Sequence, residues 1–524
     1  MKRFLVVLIL AVMAECLWRT VVNLVDQVGW TEPDDCFAAC REVGRVISPV
    51  ADVAFLCKDT AFIDSGERIS LINLNWEISP KVAKPVEWGD LPLWDGVVAV
   101  NDWTGENADE LSGLGFSLIA TNSFVSLYSR KKSHADAVVS LMPGPIFPQH
   151  DFRACFSVGV IVFLLVAMWL ACRSGEVPDR TRVVWALLIF AIAVSAAVFS
   201  GLNAPNGLGV YGGKAKLFLL SGDIPSGFWT ASEYAVFQPS YPPMMTLIAL
   251  MSFAVGGVSD CALQIFLPGV LALLFLELTR HAPRNGWRSF ETYAYLSVFL
   301  LSPEMISMAT GFYAEPLAML LLAFGWNAVL DGKCRRGCLA VGLVALTRPE
   351  GLMISAISLG VFALLGLVDR HSPRKMAEAV VSILLPGILW QASVWLLGSQ
   401  LQDYDFLHFP SYWDFSAARA EIAKALCGEF VLNGGVFVCS VLILIGSFSH
   451  TGGSVRKGTR GVAAAVMMTL LCLFFGSGAI SFSTCPQREW LYAMTLPRYS
   501  VFVSVPLLLV ALRLLGDEET ADRH

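Results

Sequence analysis

The feature that most limits how this chain can fold is a series of long apolar runs. They occupy 155–172, 183–201, 241–257, 262–279, 289–312, 313–330, 338–347 with 352–368, 376–399, 431–448, 462–482 and 499–515. A run of about 18 or more apolar residues is long enough to cross a bilayer as a helix. Composition agrees: 55% of the 524 residues are hydrophobic and 15% are charged, where soluble domains carry about 25% charged residues. The expected fold class is a polytopic α-helical membrane protein with about 11–13 spans. The formal net charge of −6 says little, because such a chain sorts its charges by membrane side. No basic patch suited to nucleic acid stands out, so no nucleic-acid partner is expected.

The N-terminal part reads differently. In residues 1–24, Lys2 and Arg3 precede an apolar core, the pattern of a signal peptide or an uncleaved signal anchor. Val12 and Ala14 would allow cleavage after Ala14; the anchor is the preferred reading, and both readings export the downstream residues. Residues 25–150 are expected to form a small extracytoplasmic α/β domain. Strands are predicted at Ile69–Leu74 and Asp95–Val100, a short helix at Glu106–Leu114, and a hairpin of Phe116–Ala120 with Phe124–Tyr128 across Thr121–Ser123. Asp34 and Asp35 read as a solvated turn. Cys36, Cys40 and Cys57 leave one disulfide open in an oxidising compartment. Residues 151–182 supply a return helix and a cytoplasmic loop, 183–515 the main membrane domain, and 516–524 a tail.

Basic clusters mark the cytoplasmic side of a membrane protein. Arg173, Arg180 and Arg182 form one; Lys333, Arg335 and Arg336, then Arg370, Arg374 and Lys375, then Arg456, Lys457 and Arg460 form three more. They place the loops at 202–240, 400–430 and 483–498 outside. Arg280, Arg284 and Arg288 conflict with this: their charge argues for inside, whereas counting spans from Tyr241 puts them outside.

The longest distinctive loop runs from Asn206 to Pro243. Its Gly207-Leu-Gly-Val-Tyr-Gly212 stretch matches a Gly-x-Gly-x-x-Gly pattern, but it follows a membrane helix instead of a strand, so it is not read as a dinucleotide site. Lys214 and Lys216 lie two apart and would not share a helical face. Glu315 and Glu350 are ionisable residues at breaks in apolar sequence, where a charge is costly and usually faces a cavity or a partner. Glu350 has a structural alternative, pairing with Arg348 or capping the helix that starts at Gly351. The loop at 400–430, with Asp403, Asp405, His408, Tyr412, Trp413 and Asp414, suits either sugar binding or an aromatic belt.

Four segments together resemble the GT-C superfamily of membrane glycosyltransferases, such as the protein O-mannosyltransferases and the bacterial aminoarabinose transferases. They are Tyr211-Gly-Gly-Lys-Ala-Lys216 through Tyr241-Pro-Pro243, Gly311-Phe-Tyr-Ala-Glu315-Pro316, Ala345-Leu-Thr-Arg348-Pro-Glu350-Gly351, and Pro497-Arg498-Tyr499. The resemblance covers 183–515. It implies a polyprenyl-phosphate-linked sugar as donor, a glycan, lipid or protein as acceptor, and a site on the external face of a bacterial inner membrane. It implies Lys214, Lys216, Tyr241, Arg348, Glu350 and Arg498 as substrate-binding residues, with Arg498 on the donor phosphate, since a guanidinium makes strong paired hydrogen bonds to phosphate. Asn206, Asp223 or Glu315 would orient or activate the acceptor hydroxyl. The family usually has a carboxylate where this chain has Asn206, and an amide is no useful proton acceptor. Asp223 and Glu233 are carboxylates in the same loop. A divalent metal ion is left open, with no metal-ligand residue assigned. The alternatives are a transporter or flippase for lipid-linked or small solutes, and a catalytically inactive relative.

Overall fold

The computed structural model describes residues 53–56, 84–86, 96–100, 111–121, 125–129, 139–140, 180–200, 206–231, 234, 237–258, 260–282, 286–368, 372–398, 462–463, 465–469, 471–472, 502 and 504–521. These are mostly helical. The helices are α1 (Arg180–Ser200), α2 (Gly212–Ser221), α3 (Met244–Gly256), α4 (Asp260–Gln264), α5 (Phe266–Leu278), α6 (Gly286–Leu300), α7 (Pro303–Thr310), α8 (Glu315–Leu330), α9 (Cys334–Leu343), α10 (Gly351–Leu364), α11 (Pro373–Leu396) and α12 (Val505–Ala521). A π-helical turn, Asn206–Tyr211, leads into α2.

Among the described residues, three stretches are long and apolar enough to cross a membrane: Arg180–Ala197, Ala262–His281 and Pro373–Leu396. The apolar window of Ala262–His281 is wholly enclosed, whereas those of Arg180–Ala197 and Pro373–Leu396 are only 33% and 22% buried. The enclosed stretch is thus a central helix and the other two are peripheral. Four shorter apolar helices, Met244–Gly256, Glu315–Leu330, Gly351–Leu364 and Val505–Leu514, complete the set. The architecture is compatible with a membrane protein. The runs at 155–172 and 431–448 lie outside the described residues.

Local sequence accounts for the breaks. Ser302 caps α7 by accepting from Met305 N, with Pro303 in the first turn, so the 289–312 run divides there. Ser372 and Pro373 start α11 in the same way. Glycines then let helices touch backbone to backbone, the usual device where apolar helices must pack closely. A Cβ at Gly342 of α9 would overlap Ser382 O and come within 2.8 Å of Ile383 O of α11. Gly325 of α8 and Gly337 of α9 meet in a comparable crossing: a Cβ at Gly325 would lie 3.0 Å from Gly337 O.

The bundle has two polar ends. At one, Arg182 Nη2 donates to Leu276 O (2.8 Å), and Asp331 accepts from Arg513 Nη1 (2.9 Å) and pairs with Arg280 Nη2 (3.1 Å). Arg280 therefore lies at the same end as Arg182 and as the Asp331–Lys333 turn. The span count goes astray at α3. This helix has only 13 residues, about 20 Å at 1.5 Å per residue. Both of its flanks meet the Tyr211–Gly212 segment: the Tyr241 ring lies 6.3 Å from that of Tyr211, and Leu263 Cδ1 lies 2.5 Å from where a Gly212 Cβ would be. Residues 241–264 thus begin and finish at one end, and only Ala262–His281 runs to the other.

The N-terminal strands β1 (Val53–Leu56), β2 (Lys84–Val86), β3 (Gly96–Val100), β4 (Ser117–Thr121), β5 (Val125–Ser129) and β6 (Val139–Ser140) form one sheet in the order β2-β1-β3-β5-β4-β6. β1 is parallel to β2 and β3, and β4 and β5 pair antiparallel as the expected hairpin. The strand predicted at 69–74 and most of the helix predicted at 106–114 lie outside the described residues. Val98 and its register partner Leu127 are fully buried on one face, and Val97 on the other, so both faces of the sheet's centre are covered.

Gly342→Leu is expected to destabilise the chain by roughly 1–3 kcal/mol or more through overpacking, read as a lower thermal midpoint in micelles. Gly360→Ala, on an exposed stretch of α10 with nothing within 4 Å of the added methyl, is expected to gain about 0.5–1 kcal/mol.

Candidate functional site

At the end of the bundle opposite Asp331, two helix starts bring three charged residues together in an apolar surround. Glu315 opens α8, where Pro316 suits the first turn. Arg348 and Glu350 lie in the short link between the 3-10 turn Val344–Leu346 and α10. The link is tight because Gly351 lies directly on the preceding turn; a Cβ there would overlap Val344 O and lie 2.7 Å from Ala345 Cα.

Arg348 joins the two carboxylates. Its Nη1 lies 3.2 Å from Glu315 Oε1; its Nε and Nη2 donate to Glu350 Oε2 and Oε1 at 3.3 and 3.4 Å. The three residues are only 4%, 6% and 6% exposed for Glu315, Arg348 and Glu350. Burial opposes the charge of Arg348, and Glu350 with Glu315 more than offsets it, so the guanidinium is held above its ordinary pKa. The Phe502 ring lies 5.4 Å from Arg348 Cζ, adding a cation–π contact from the segment that leads into α12. Counted alone, the triad carries one carboxylate in excess.

The first loop borders this cluster. Tyr211 places its hydroxyl 3.5 Å from Thr347 O, next to Arg348, and its ring makes an edge contact with the half-buried Tyr241. Lys214, one turn further along α2, is buried and donates from Nζ to Gln238 O at 3.0 Å. Burial lowers its pKa from 10.5 to about 7. Trp390 of α11 donates to Ser240 O at 3.1 Å and lies 6.2 Å from the Trp229 ring, tying the returning loop to the bundle. Gln238 itself has φ 45°, a left-handed value uncommon for a residue with a side chain.

Of the residues expected from sequence, Glu315, Arg348 and Glu350 meet directly, with Tyr241 linked to them through Tyr211. Glu350 takes the pairing role; its side chain makes no cap bond to α10. Lys214 is enclosed by protein where substrate contact was expected, and Lys216, on another face of α2, is half-buried. Asp223 lies apart from the triad in an exposed turn, its Oδ1 accepting from Ile224 N at 2.7 Å. This turn comes after Gly222, whose φ of 75° ends α2. Asn206 opens the π turn. Its side chain, Glu233, Arg498 and the loop at 400–430 lie outside the described residues. The glycine pattern of the loop has a packing cause: a Cβ at Gly212 would overlap Gly207 O.

Tyr211, Thr347, Gln238 and Phe502 were not singled out as site residues from sequence. Tyr211 could have been, because it directly precedes the Gly212-Gly213 pair and Lys214. Among the described residues, no group of three or more His, Cys, Asp or Glu is placed to hold a metal ion. The arrangement can orient two carboxylates rigidly beside aromatic rings at a bundle end.

Arg348→Met is expected to cost roughly 3–5 kcal/mol, because it leaves two buried carboxylates without their cation. Adding Glu315→Gln and Glu350→Gln to the same chain should recover most of that loss, read by thermal unfolding in micelles. Lys214 is predicted to give a distinct pH signature. Its pKa is about 7 in the folded chain against 10.5 for an unperturbed lysine, so between these limits the unfolded chain binds more protons. Stability then rises with pH from about 7 to 10, with a slope of up to about 1.4 kcal/mol per unit. Lys214→Met should remove that rise.

Protein-family models, curated proteins and solved structures were all searched, and none matches the chain.

Proposed function

We propose that this protein is a multi-pass membrane glycosyltransferase of GT-C-like architecture, with about 11–13 spans. It would move a sugar from a polyprenyl phosphate to a glycan, lipid or protein acceptor at the external face of a bacterial inner membrane. The observation that carries this reading is the convergence of Glu315, Arg348 and Glu350 beside Tyr211. A pair of oriented carboxylates suits activation of a hydroxyl, and a site at a bundle end suits a donor whose phosphate stays at the membrane interface. The end bearing Arg182, Arg280 and Lys333 is assigned to the cytoplasm by its positive charge. The triad end then faces outward, as does the domain at 25–150.

In the proposed reaction, the acceptor oxygen forms a bond to the anomeric carbon of the sugar. The bond from that carbon to the phosphate oxygen breaks, and polyprenyl phosphate leaves. The acceptor proton passes to Glu315. Arg348 is engaged by Glu315 and Glu350, so its role is to hold the carboxylates in register; Arg498 and Lys216 are assigned to the donor phosphate. In this reading a carboxylate from outside the first loop takes the place of the acid that the chain lacks at Asn206.

The test is a single-turnover assay of the full chain in micelles, with polyprenyl-phosphate sugars and an extract of cell-envelope acceptors. Wild type is expected to release polyprenyl phosphate. Glu315→Gln should lower the rate by about 100-fold or more, and Arg498→Ala should weaken donor use. No release from any donor by folded wild-type protein overturns the reading, and leaves the transporter or inactive alternative.

A further inference from the structure

Most buried serine and threonine hydroxyls in these helices bond back to their own helix; the hydroxyl of Thr246 does not, and the amide of Gln264 is likewise unmet among the described residues. Ser252, Thr279, Ser297, Ser355, Ser358 and Thr469 each donate to the carbonyl four residues back, at 2.7–2.9 Å. Thr246 of α3 and Gln264 of α4 are buried to 4% and 1% exposure. Among the described residues, Thr246 Oγ1 and both Gln264 Nε2 and Oε1 have no hydrogen-bond partner. An unpaired buried polar group costs its full desolvation, and the apolar sequence around Gln264 would accept leucine there at no such cost.

Both lie at the triad end. Gln264 is next to Leu263, which abuts Gly212, and Gly212 adjoins Tyr211, whose hydroxyl approaches Thr347 O beside Arg348. Thr246 is in the first turn of α3, three residues after the Tyr241-Pro-Pro243 segment. The two short helices carrying them pack on each other and connect through Gly257, which has φ 78° and open space about its Cβ position. Short helices that begin and finish at one end of a membrane bundle are tolerated where protein or a ligand cavity meets their polar groups.

The chemistry of the unpaired groups selects the ligand. A primary amide presents donors and an acceptor side by side, and a threonine hydroxyl does both. That set matches hydroxyl groups, which also donate and accept. It is a poor match to phosphate, which only accepts at high pH and would face Gln264 Oε1, and to a cation, which the nearby carboxylates would hold better. We propose that Gln264 and Thr246 form the recognition site for the sugar hydroxyls of the substrate. The identity of the ligand rests on the transferase reading; the lack of partners for these groups among the described residues does not.

The test uses the full chain in micelles, with Gln264→Leu and Thr246→Val, and two readouts. The first is the thermal midpoint without ligand. The apolar substitutions are expected to hold or raise it, because they remove unmet polar groups. The second is the midpoint shift on titration with polyprenyl phosphate alone and with polyprenyl phosphate hexose. Gln264→Leu should weaken the apparent affinity for the hexose-bearing lipid by about tenfold, while the affinity for the bare lipid stays within about twofold. A lowered midpoint in Gln264→Leu would show that the protein itself meets the amide, and would overturn the proposal. Equal weakening for both lipids, or for neither, would also overturn it. If wild type binds the hexose lipid in a Gln264-dependent way but releases no polyprenyl phosphate, the recognition site stands and the transfer reading fails.

Discussion

A charge as large as a guanidinium is tolerated in an apolar bundle only when its partners are fixed before it arrives, and Arg348 sets that requirement here. It is met by Glu315 at the start of α8 and Glu350 at the start of α10. Meeting it imposes a chain of consequences. The 3-10 turn before Arg348 has to stop within one turn, Gly351 has to lie on Val344, and α10 has to leave at an angle set by that contact. The Phe502 ring then covers the guanidinium from the segment before α12. Such a cluster contributes little net stability over an apolar replacement, yet losing one member is costly. Its value lies in holding the carboxylates in one geometry.

The opposite end has the inverse balance, with the carboxylate of Asp331 surrounded by Arg280, His281 and Arg513. Burial alone would raise the Asp331 pKa. A hydrogen bond from His281 and the charges of His281, Arg280 and Arg513 outweigh it, so the carboxyl is held well below the usual range. Nearby, Asn327 donates to both the backbone oxygen and Oε1 of the fully buried Glu277, at 3.0 and 2.8 Å. α8 connects the two centres, with Glu315 at its first residue and Asp331 just past its last. Its 16 residues span about 24 Å. The segment from Phe502 to Arg513 runs beside it, touching Arg348 at one end and Asp331 at the other. The close crossing of α8 and α9 at Gly325 and Gly337 fixes the middle of α8. Ion pairs at Glu315 and Asp331 hold its two ends.

Much of this organisation was legible in the chain. The Ser302-Pro303 break, the start of α8 at Glu315-Pro316 and the β4–β5 hairpin arise from local rules about caps, proline and alternation. Glu315, Arg348 and Glu350 stood out because a charge next to an apolar run requires a partner. Lys214 and Asp223 were harder. Lys214 looked like a phosphate contact by its place in a loop, but α2 turns it inward onto Gln238 O. Asp223 is spent on its own turn. Nothing in the local pattern separates a lysine that faces solvent from one that holds a loop. Gln264 was passed over because a single amide in an apolar run has no local mark of being unpaired.

The sequence by itself determined the helical, apolar character of the bundle and the positions of its breaks. Both depend on residues within a few places of each other along the chain. Only the tertiary structure decided which breaks share an end. It placed Arg280 with Asp331, where counting spans had put it on the other side, because the segment 241–264 begins and finishes beside Tyr211 and Gly212. It also brought Glu315 to Arg348. The physical reason is one of range. A helix is specified by bonds four residues apart, whereas an ion pair between two helix starts depends on the path of every turn between them.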